Sequence, residues 1–311
     1  LRVPLPARKP AAATATGRNG GDAMTAAIEP HYVLTVSCPD TRGIVAAVAG
    51  FLYQQDAFIT ESHHFGDPHS ARFFLRTTFT PGAGTPGMDA FAHRFSKIAE
   101  RFQMVWGLHE AHRRQRLLIL VSKADHCLND LLYRCRTGEL AVEIPAIVSN
   151  HPNLEPLAAW HGIPFHHLPV SRETRAEQEA QILAMVDELE IDLVVLARYM
   201  QILSAPTCDR LRHRCINIHH SFLPGFKGAA PYRQAHARGV KLIGATAHYV
   251  TAELDEGPII EQAVERVDHT YGPEALAAVG RDIENIVLAR AVRYHIEHRV
   301  LVNGNRTVVL R

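Results

Sequence analysis

Asn217-Ile218-His219-His220-Ser221-Phe222-Leu223-Pro224-Gly225-Phe226-Lys227-Gly228 decides how the rest of the chain is read. Cys215-Ile216-Asn217-Ile218 alternates polar and apolar side chains like a buried strand, and Pro224, Gly225 and Gly228 end it in a loop. Alternate side chains of a strand share a face, so Asn217, His219 and Ser221 are expected to point the same way. An amide, an imidazole and a hydroxyl on one face cost free energy unless they bond something. Open α/β sheets take their ligands at the carboxyl ends of their strands. The stretch is therefore a candidate active site.

The flanking sequence supplies the sheet. Residues 117–121 and 193–196 are wholly apolar, as parallel strands buried on both faces are. Strands are expected at 117–121, 143–149, 163–168 and 191–196, with helices near 127–136, 154–161 and 174–190 between them. This alternation predicts a doubly wound, mostly parallel α/β domain over residues 117–311. The first strand runs into Ser122-Lys123-Ala124-Asp125-His126-Cys127, which holds no glycine. With neither GxGxxG nor a Walker loop, a dinucleotide or nucleoside triphosphate is not expected; Lys123 and His126 receive no role. After the fourth strand, Met200, Gln201, Ile202 and Leu203 lie in a loop suited to a lid or the wall of a flat-ligand pocket. A strand over 242–250 carries His248. It leads into the turn Thr251-Ala252-Glu253-Leu254-Asp255-Glu256-Gly257-Pro258, in which Asp255 reads equally as turn chemistry or as a catalytic carboxylate. A strand over 259–264, a helix over 273–296 and one closing strand over 299–310 complete the domain.

The N-terminal third has a different pattern. Residues 1–29 lack apolar periodicity and are expected to be a disordered leader, with Met24 as the natural start or, as the alternative, a transit peptide. Strand and helix signals over 31–109 follow the order βαββαβ, a ferredoxin-like arrangement spanning residues 30–110. The loop after the first strand reads Asp40-Thr41-Arg42-Gly43-Ile44-Val45, where a glycine permits a tight turn with amides facing a ligand. Exposed sheet edges predict a homo-oligomer. Residues 111–116 are expected to be a polar linker.

Composition narrows the function. The chain has 311 residues and a formal net charge of +1, which suggests neither a nucleic-acid partner nor an anionic membrane. Five cysteines form no paired framework, and no signal peptide or membrane-length apolar run is seen, so a reduced, cytoplasmic protein is expected. The 20 histidines show no HExxH spacing, and no metal or other cofactor is expected.

Two resemblances sharpen this reading. Residues 30–110 resemble an ACT domain, a module that often binds amino acids, through Asp40, Arg42, Gly43 and Ile44; Thr41-Arg42 stands where Arg-Pro is commoner. The resemblance implies an amino-acid effector, and a helix-entry turn in an oligomerisation module is the other reading. Residues from about 115 onward resemble the folate-dependent formyltransferase fold through Asn217, His219, Ser221, Leu223 and Pro224, followed by Asp255 and Gly257. That resemblance implies a folate substrate and assigns Asn217, His219 and Asp255 as catalytic. It makes Met200, Gln201, Ile202, Leu203, Ser221, Glu253 and Leu254 substrate contacts and His248 a supporting residue. The combination of both domains looks like the formyltetrahydrofolate deformylases. It implies hydrolysis of 10-formyltetrahydrofolate to formate and tetrahydrofolate, feeding one-carbon metabolism and purine biosynthesis. The glycine-free loop at 122–127 and a tail without room for a further domain set the chain apart from the glycinamide ribonucleotide and methionyl-tRNA formyltransferases. Formyl transfer to a small amine is the alternative, and a non-catalytic folate- or amino-acid-responsive regulator is the alternative of another class.

Overall fold

The computed structural model describes residues 30–224 and 231–311. The expected leader and residues 225–228 of the opening stretch lie outside the described residues. The first part of the chain runs β1 (Tyr32–Pro39), α1 (Ile44–Gln54), β2 (Ala57–Asp67), β3 (Arg72–Pro81), α2 (Met88–Arg101) and β4 (Val105–Glu110). The strands pair antiparallel in the order β2-β3-β1-β4, the βαββαβ arrangement that the sequence spacing predicts. Phe91, Phe95 and Ala99 recur at helical spacing on α2, and Val48, Phe51 and Leu52 do so on α1, so each helix buries one face. The rings of Phe51, Phe79, Phe91 and Phe95 meet at centroid distances of 5.0, 5.2 and 5.3 Å.

The second part runs β5 (Gln115–Val121), α3 (His126–Arg136), β6 (Val142–Ser149), α4 (Glu155–Trp160), β7 (Phe165–His167), α5 (Arg175–Glu188), β8 (Leu193–Leu196) and α6 (Ala205–Arg210). It continues with β9 (Cys215–His219), α7 (Pro231–Ala237), β10 (Leu242–Tyr249), β11 (Ile259–Arg266), α8 (Pro273–Ile296), β12 (Val300–Asn303) and β13 (Arg306–Val309). Seven strands form one sheet in the order β11-β10-β9-β8-β5-β6-β7. The five from β9 to β7 are parallel, and β10 runs antiparallel to both neighbours. Each face of the sheet has its own apolar core, with Leu117, Ile119, Val287 and Leu288 on one side and Leu118, Leu120, Ile182 and Val186 on the other. Among the described residues, no helix is long and apolar enough to cross a membrane.

Two expectations need correction. Gln115 and Arg116 are not linker but the first residues of β5. Gln115 is buried and donates from Nε2 to Ile296 O at 3.2 Å, and the Arg116 amide donates to Asp192 Oδ2 at 2.8 Å. The single closing strand over 299–310 is a hairpin, β12 against β13, turned at Gly304 with φ +64°. With Asn303 opposite Arg306, the two-residue loop is Gly304-Asn305, a hairpin signal because its first position needs positive φ.

The hairpin explains why β3 is buried on both faces. Phe73 and Leu75 face the helices, whereas Phe74 packs on Leu301 and Leu310. Beside it, Arg76 donates to Glu61 Oε2 at 2.6 Å and to Glu297 O at 3.0 Å, and His298 stacks on His109 at 3.7 Å. Burial, reinforced by the neighbouring His109, pushes the His298 ring down to about 3, and burial pushes His295 down to about 4. Folded values below the ordinary one mean that the unfolded chain binds more protons. The resulting stability is full above about pH 6.5 and is lost as pH falls toward those values, by at most about 1.4 kcal/mol per pH unit for each ring. Thermal denaturation at pH 7.5 and 5.0 is expected to show a smaller acid-induced drop in melting temperature for His298→Gln than for the wild type.

Candidate active site

β9, β8 and β5 are parallel neighbours, so the loops that follow them leave the sheet at one end, beside the point where the strand order reverses. The antiparallel β10 returns past β9 with His248 opposite Asn217 and Thr246 opposite His219. Directly opposed residues share a face, which brings Asn217 and His248 together. Thr246 pins the chain as it leaves β9. Its hydroxyl donates to Ser221 O at 2.9 Å and accepts from the Leu223 amide at 3.1 Å and from Gln262 Nε2 at 2.9 Å.

The turn between β10 and β11 delivers Asp255. Its backbone is left-handed, with φ +59°, a conformation that costs free energy for a residue with a side chain. The turn is tight: a Cβ on Gly257 would lie 1.7 Å from Tyr249 O, so only glycine fits. Asp255 Oδ2 lies 3.3 Å from His219 Nδ1, and Oδ1 lies 3.6 Å from His248 Nε2. Burial alone would raise the Asp255 carboxyl, but the contacts with His219 and His248 outweigh it and hold the group well below the usual carboxylate range. His248 Nδ1 lies 2.9 Å from Tyr249 O, which only accepts, so that nitrogen carries a proton. Its Nε2 is the atom shared between Asp255 and the Asn217 amide, 3.3 Å away. His219 is buried, and its Nε2 has no hydrogen-bond partner among the described residues.

These groups line one end of a cavity of about 590 Å³ whose other walls include Met200, Gln201, Ile202, Leu203 and Leu254. Tyr199 OH to Gln178, Met200 N to Ser122 Oγ and Ser204 N to Glu179 fix the loop after β8, at 3.1, 2.9 and 3.0 Å. The cavity brings together most of the residues expected from the sequence. Ser221 and Glu253 do not line it: β9 ends at His219, so strand alternation no longer aims Ser221, and the Glu253 side chain is exposed. Asp40, Arg42 and Gly43 form an exposed turn on the N-terminal sheet, and Ile44 is buried in that sheet's own core.

A second carboxylate, this one fully buried, lies behind the first group of residues. Glu284, 1 % exposed, accepts from Tyr232 OH at 2.7 Å and pairs with His126 Nε2 at 2.8 Å, while Arg198 Nε lies 3.3 Å away. Burial opposes its ionisation, but His126, Arg198 and Tyr232 hold it below its ordinary value. A Cβ on Gly280 would lie 2.0 Å from Tyr232 OH, so the glycine one turn before Glu284 makes room for the phenol. Potential ligand atoms of His126, Cys127 and Glu284 come within 4.8 Å of one another. Both Glu284 oxygens are already engaged, a guanidinium stands beside them and burial keeps the Cys127 thiol protonated, so the group reads as a hydrogen-bonded network. Sequence reading assigned no role to Arg198, His220, Tyr232 or Glu284. Glu284 carried a usable signal, a charge on the apolar stripe of Gly280, Val287, Leu288 and Ala291.

A mostly parallel sheet with an amide, two imidazoles and a carboxylate at its carboxyl end is the arrangement of a formyl transferase domain, and residues 115–292 match the family model described as formyl transferase. A formyltetrahydrofolate deformylase of Corynebacterium sp. strain P-1 is 51 % identical over 281 residues, 90 % of this chain and 98 % of the relative. Two solved deformylase structures are also similar. The one from Burkholderia mallei has 57 % identity and a TM-score of 0.87, covering 91 % of this chain and 100 % of that one. The one from Pseudomonas putida has 50 % identity and a TM-score of 0.86, covering 90 % and 100 %. The chain belongs to the formyltetrahydrofolate deformylase family. The Gly257 contact yields a direct prediction for this site. Gly257→Ala should lower stability by about 1–3 kcal/mol through overpacking, read as a shift of the urea midpoint.

Proposed function

We propose that this chain hydrolyses 10-formyltetrahydrofolate to formate and tetrahydrofolate, with Asn217, His219 and Asp255 as its catalytic residues. The observation that carries the reading is His219 Nε2, buried without a partner among the described residues, beside Asn217 and a part-buried ionised carboxylate. The cavity beyond, about 590 Å³ and largely apolar, suits a flat pterin, with Met200, Gln201, Ile202, Leu203 and Leu254 as walls. In this mechanism the formyl oxygen accepts from the Asn217 amide and from His219 Nε2–H. Asp255 accepts the Nδ1–H of His219, and its charge supports the imidazolium that such donation requires. Water held at Asp255 forms the new C–O bond and gives up a proton. A carboxyl held so acidic retains no proton at neutral pH and passes it to N10 as the C–N bond breaks. Formic acid then loses its own proton to solvent, so one water yields tetrahydrofolate, formate and one proton.

The wild type should release formate from 10-formyltetrahydrofolate without added amine. Asp255→Asn should lower kcat by roughly 10²–10⁴-fold with folate binding retained, and Asn217→Ala by about 10²–10³-fold. Formate release by Asp255→Asn at the wild-type rate would contradict the assignment.

The same reading gives residues 30–110 a regulatory part, with an amino-acid effector at the exposed loop of Asp40, Arg42 and Gly43. Gly43 supports it: its φ of +93° is open to glycine, and it stands at the N-terminal cap of α1. Phe58 on β2 and Val105 on β4, 71 % and 73 % exposed on the two edge strands, support pairing with a second copy. Calorimetric titration with single amino acids should give saturable heat that Arg42→Ala abolishes, and light scattering should give a mass above that of one chain.

A further inference from the structure

We propose that His220 is a specificity-determining residue that makes water, rather than an amine, the acceptor of the formyl group, by donating Nε2–H at the position of the nucleophile. The inference rests on the hydrolysis reading above. His220 follows the last residue of β9, so it escapes the alternation that would send it to the opposite face. Its ring lies nearly parallel to that of His219, with centroids 5.0 Å apart and planes at 18°, and it lines the same cavity.

Its tautomer follows from its partner. Arg198 Nη1 lies 2.5 Å from His220 Nδ1, and a guanidinium can only donate. Nδ1 therefore offers its lone pair, and the ring proton sits on Nε2. Burial and the Arg198 charge push the ring's pKa down to about 4, so the ring is neutral at physiological pH and does not trade protons with the reaction. Arg198 is itself fixed. Its backbone is left-handed, with φ +65°, and its Nε stands 3.3 Å from Glu284, which Tyr232 and His126 hold from two further elements. The outcome is an N–H donor whose direction four side chains maintain.

A donor in that position discriminates between nucleophiles by lone-pair count. Water has two lone pairs: one accepts from Nε2–H while the other forms the C–O bond, and the proton leaves toward Asp255. A neutral amine has one lone pair. When that pair accepts a hydrogen bond it cannot attack, and when it attacks it leaves the buried N–H unpaired, which is costly. His219 and Asn217 serve the formyl oxygen in either case, so the choice of acceptor falls to His220.

The test uses the full chain with 10-formyltetrahydrofolate and 2,2,2-trifluoroethylamine, a neutral amine whose nitrogen holds its one lone pair, measuring formate and the N-formylamine together. His220→Phe keeps an aromatic ring and removes the donor. It should lower kcat for formate by about ten-fold or more, leave KM within about two-fold, and raise the N-formylamine fraction by about ten-fold. His220→Gln, which can accept from Arg198 and still donate, should recover most of the partition toward formate. His220→Phe partitioning like the wild type overturns the proposal while leaving the hydrolysis reading intact; no formate from the wild type overturns both. Should His220→Phe fail to fold, ¹⁵N NMR of the wild-type histidines decides. An Nε2-protonated neutral ring for His220 supports the proposal, and an Nδ1-protonated ring overturns it.

Discussion

A part-buried carboxylate held between two imidazoles governs the geometry at the carboxyl end of the large sheet. Asp255 reaches His219 and His248 only because the turn after β10 adopts a left-handed residue and tolerates a glycine pressed against Tyr249 O. Burying a charge is costly unless it is paired, and breaking such a pair leaves the remaining charge uncompensated. The contact therefore constrains more than the site. It requires β10 to run antiparallel beside β9, so that His248 faces Asn217, and it requires the loop after β9 to stay where Thr246 holds it.

The neighbouring histidines show how one residue type is given two electrostatic settings. His219 meets a carboxylate directly. His220, one residue on, meets a guanidinium, and the buried carboxylate Glu284 stands behind that guanidinium. Burial, with the Arg198 cation beside it, favours the neutral form of His220. Tyr232, Gly280 and His126 keep Glu284 in place from helices α7, α8 and α3, so the large sheet's outer elements support the arrangement at its centre. His126 also gives the glycine-free loop after β5 a positive role. It anchors Glu284 where a phosphate-binding loop would expose backbone amides.

Local pattern made the strands and helices legible, because each element has a period that its buried residues follow. The shared face of Asn217 and His219 was readable from alternation and holds in the structure. Extending the same alternation to Ser221 failed because the strand stops at His219 and the next residues are held by Thr246. Asp255 was ambiguous from local chemistry, since Asp-Glu-Gly-Pro makes a good turn with or without catalysis; its meaning comes from β10 returning beside β9. Glu284 interrupts an apolar helical stripe and could have been singled out on that ground. Arg198 carried no such mark, because its role depends on two partners that lie far away along the chain, one of them itself buried on another helix. The hairpin at the C-terminal end was readable from Gly304-Asn305, and it is what closes the outer face of β3.

The fate of the oxygen in the formyl product tests the account most directly. Single-turnover reaction of 10-formyltetrahydrofolate in H₂¹⁸O, followed by prompt mass analysis, should give formate carrying one oxygen from solvent, formed at the rate of tetrahydrofolate appearance. Formate without solvent oxygen, or tetrahydrofolate appearing without formate, would contradict it.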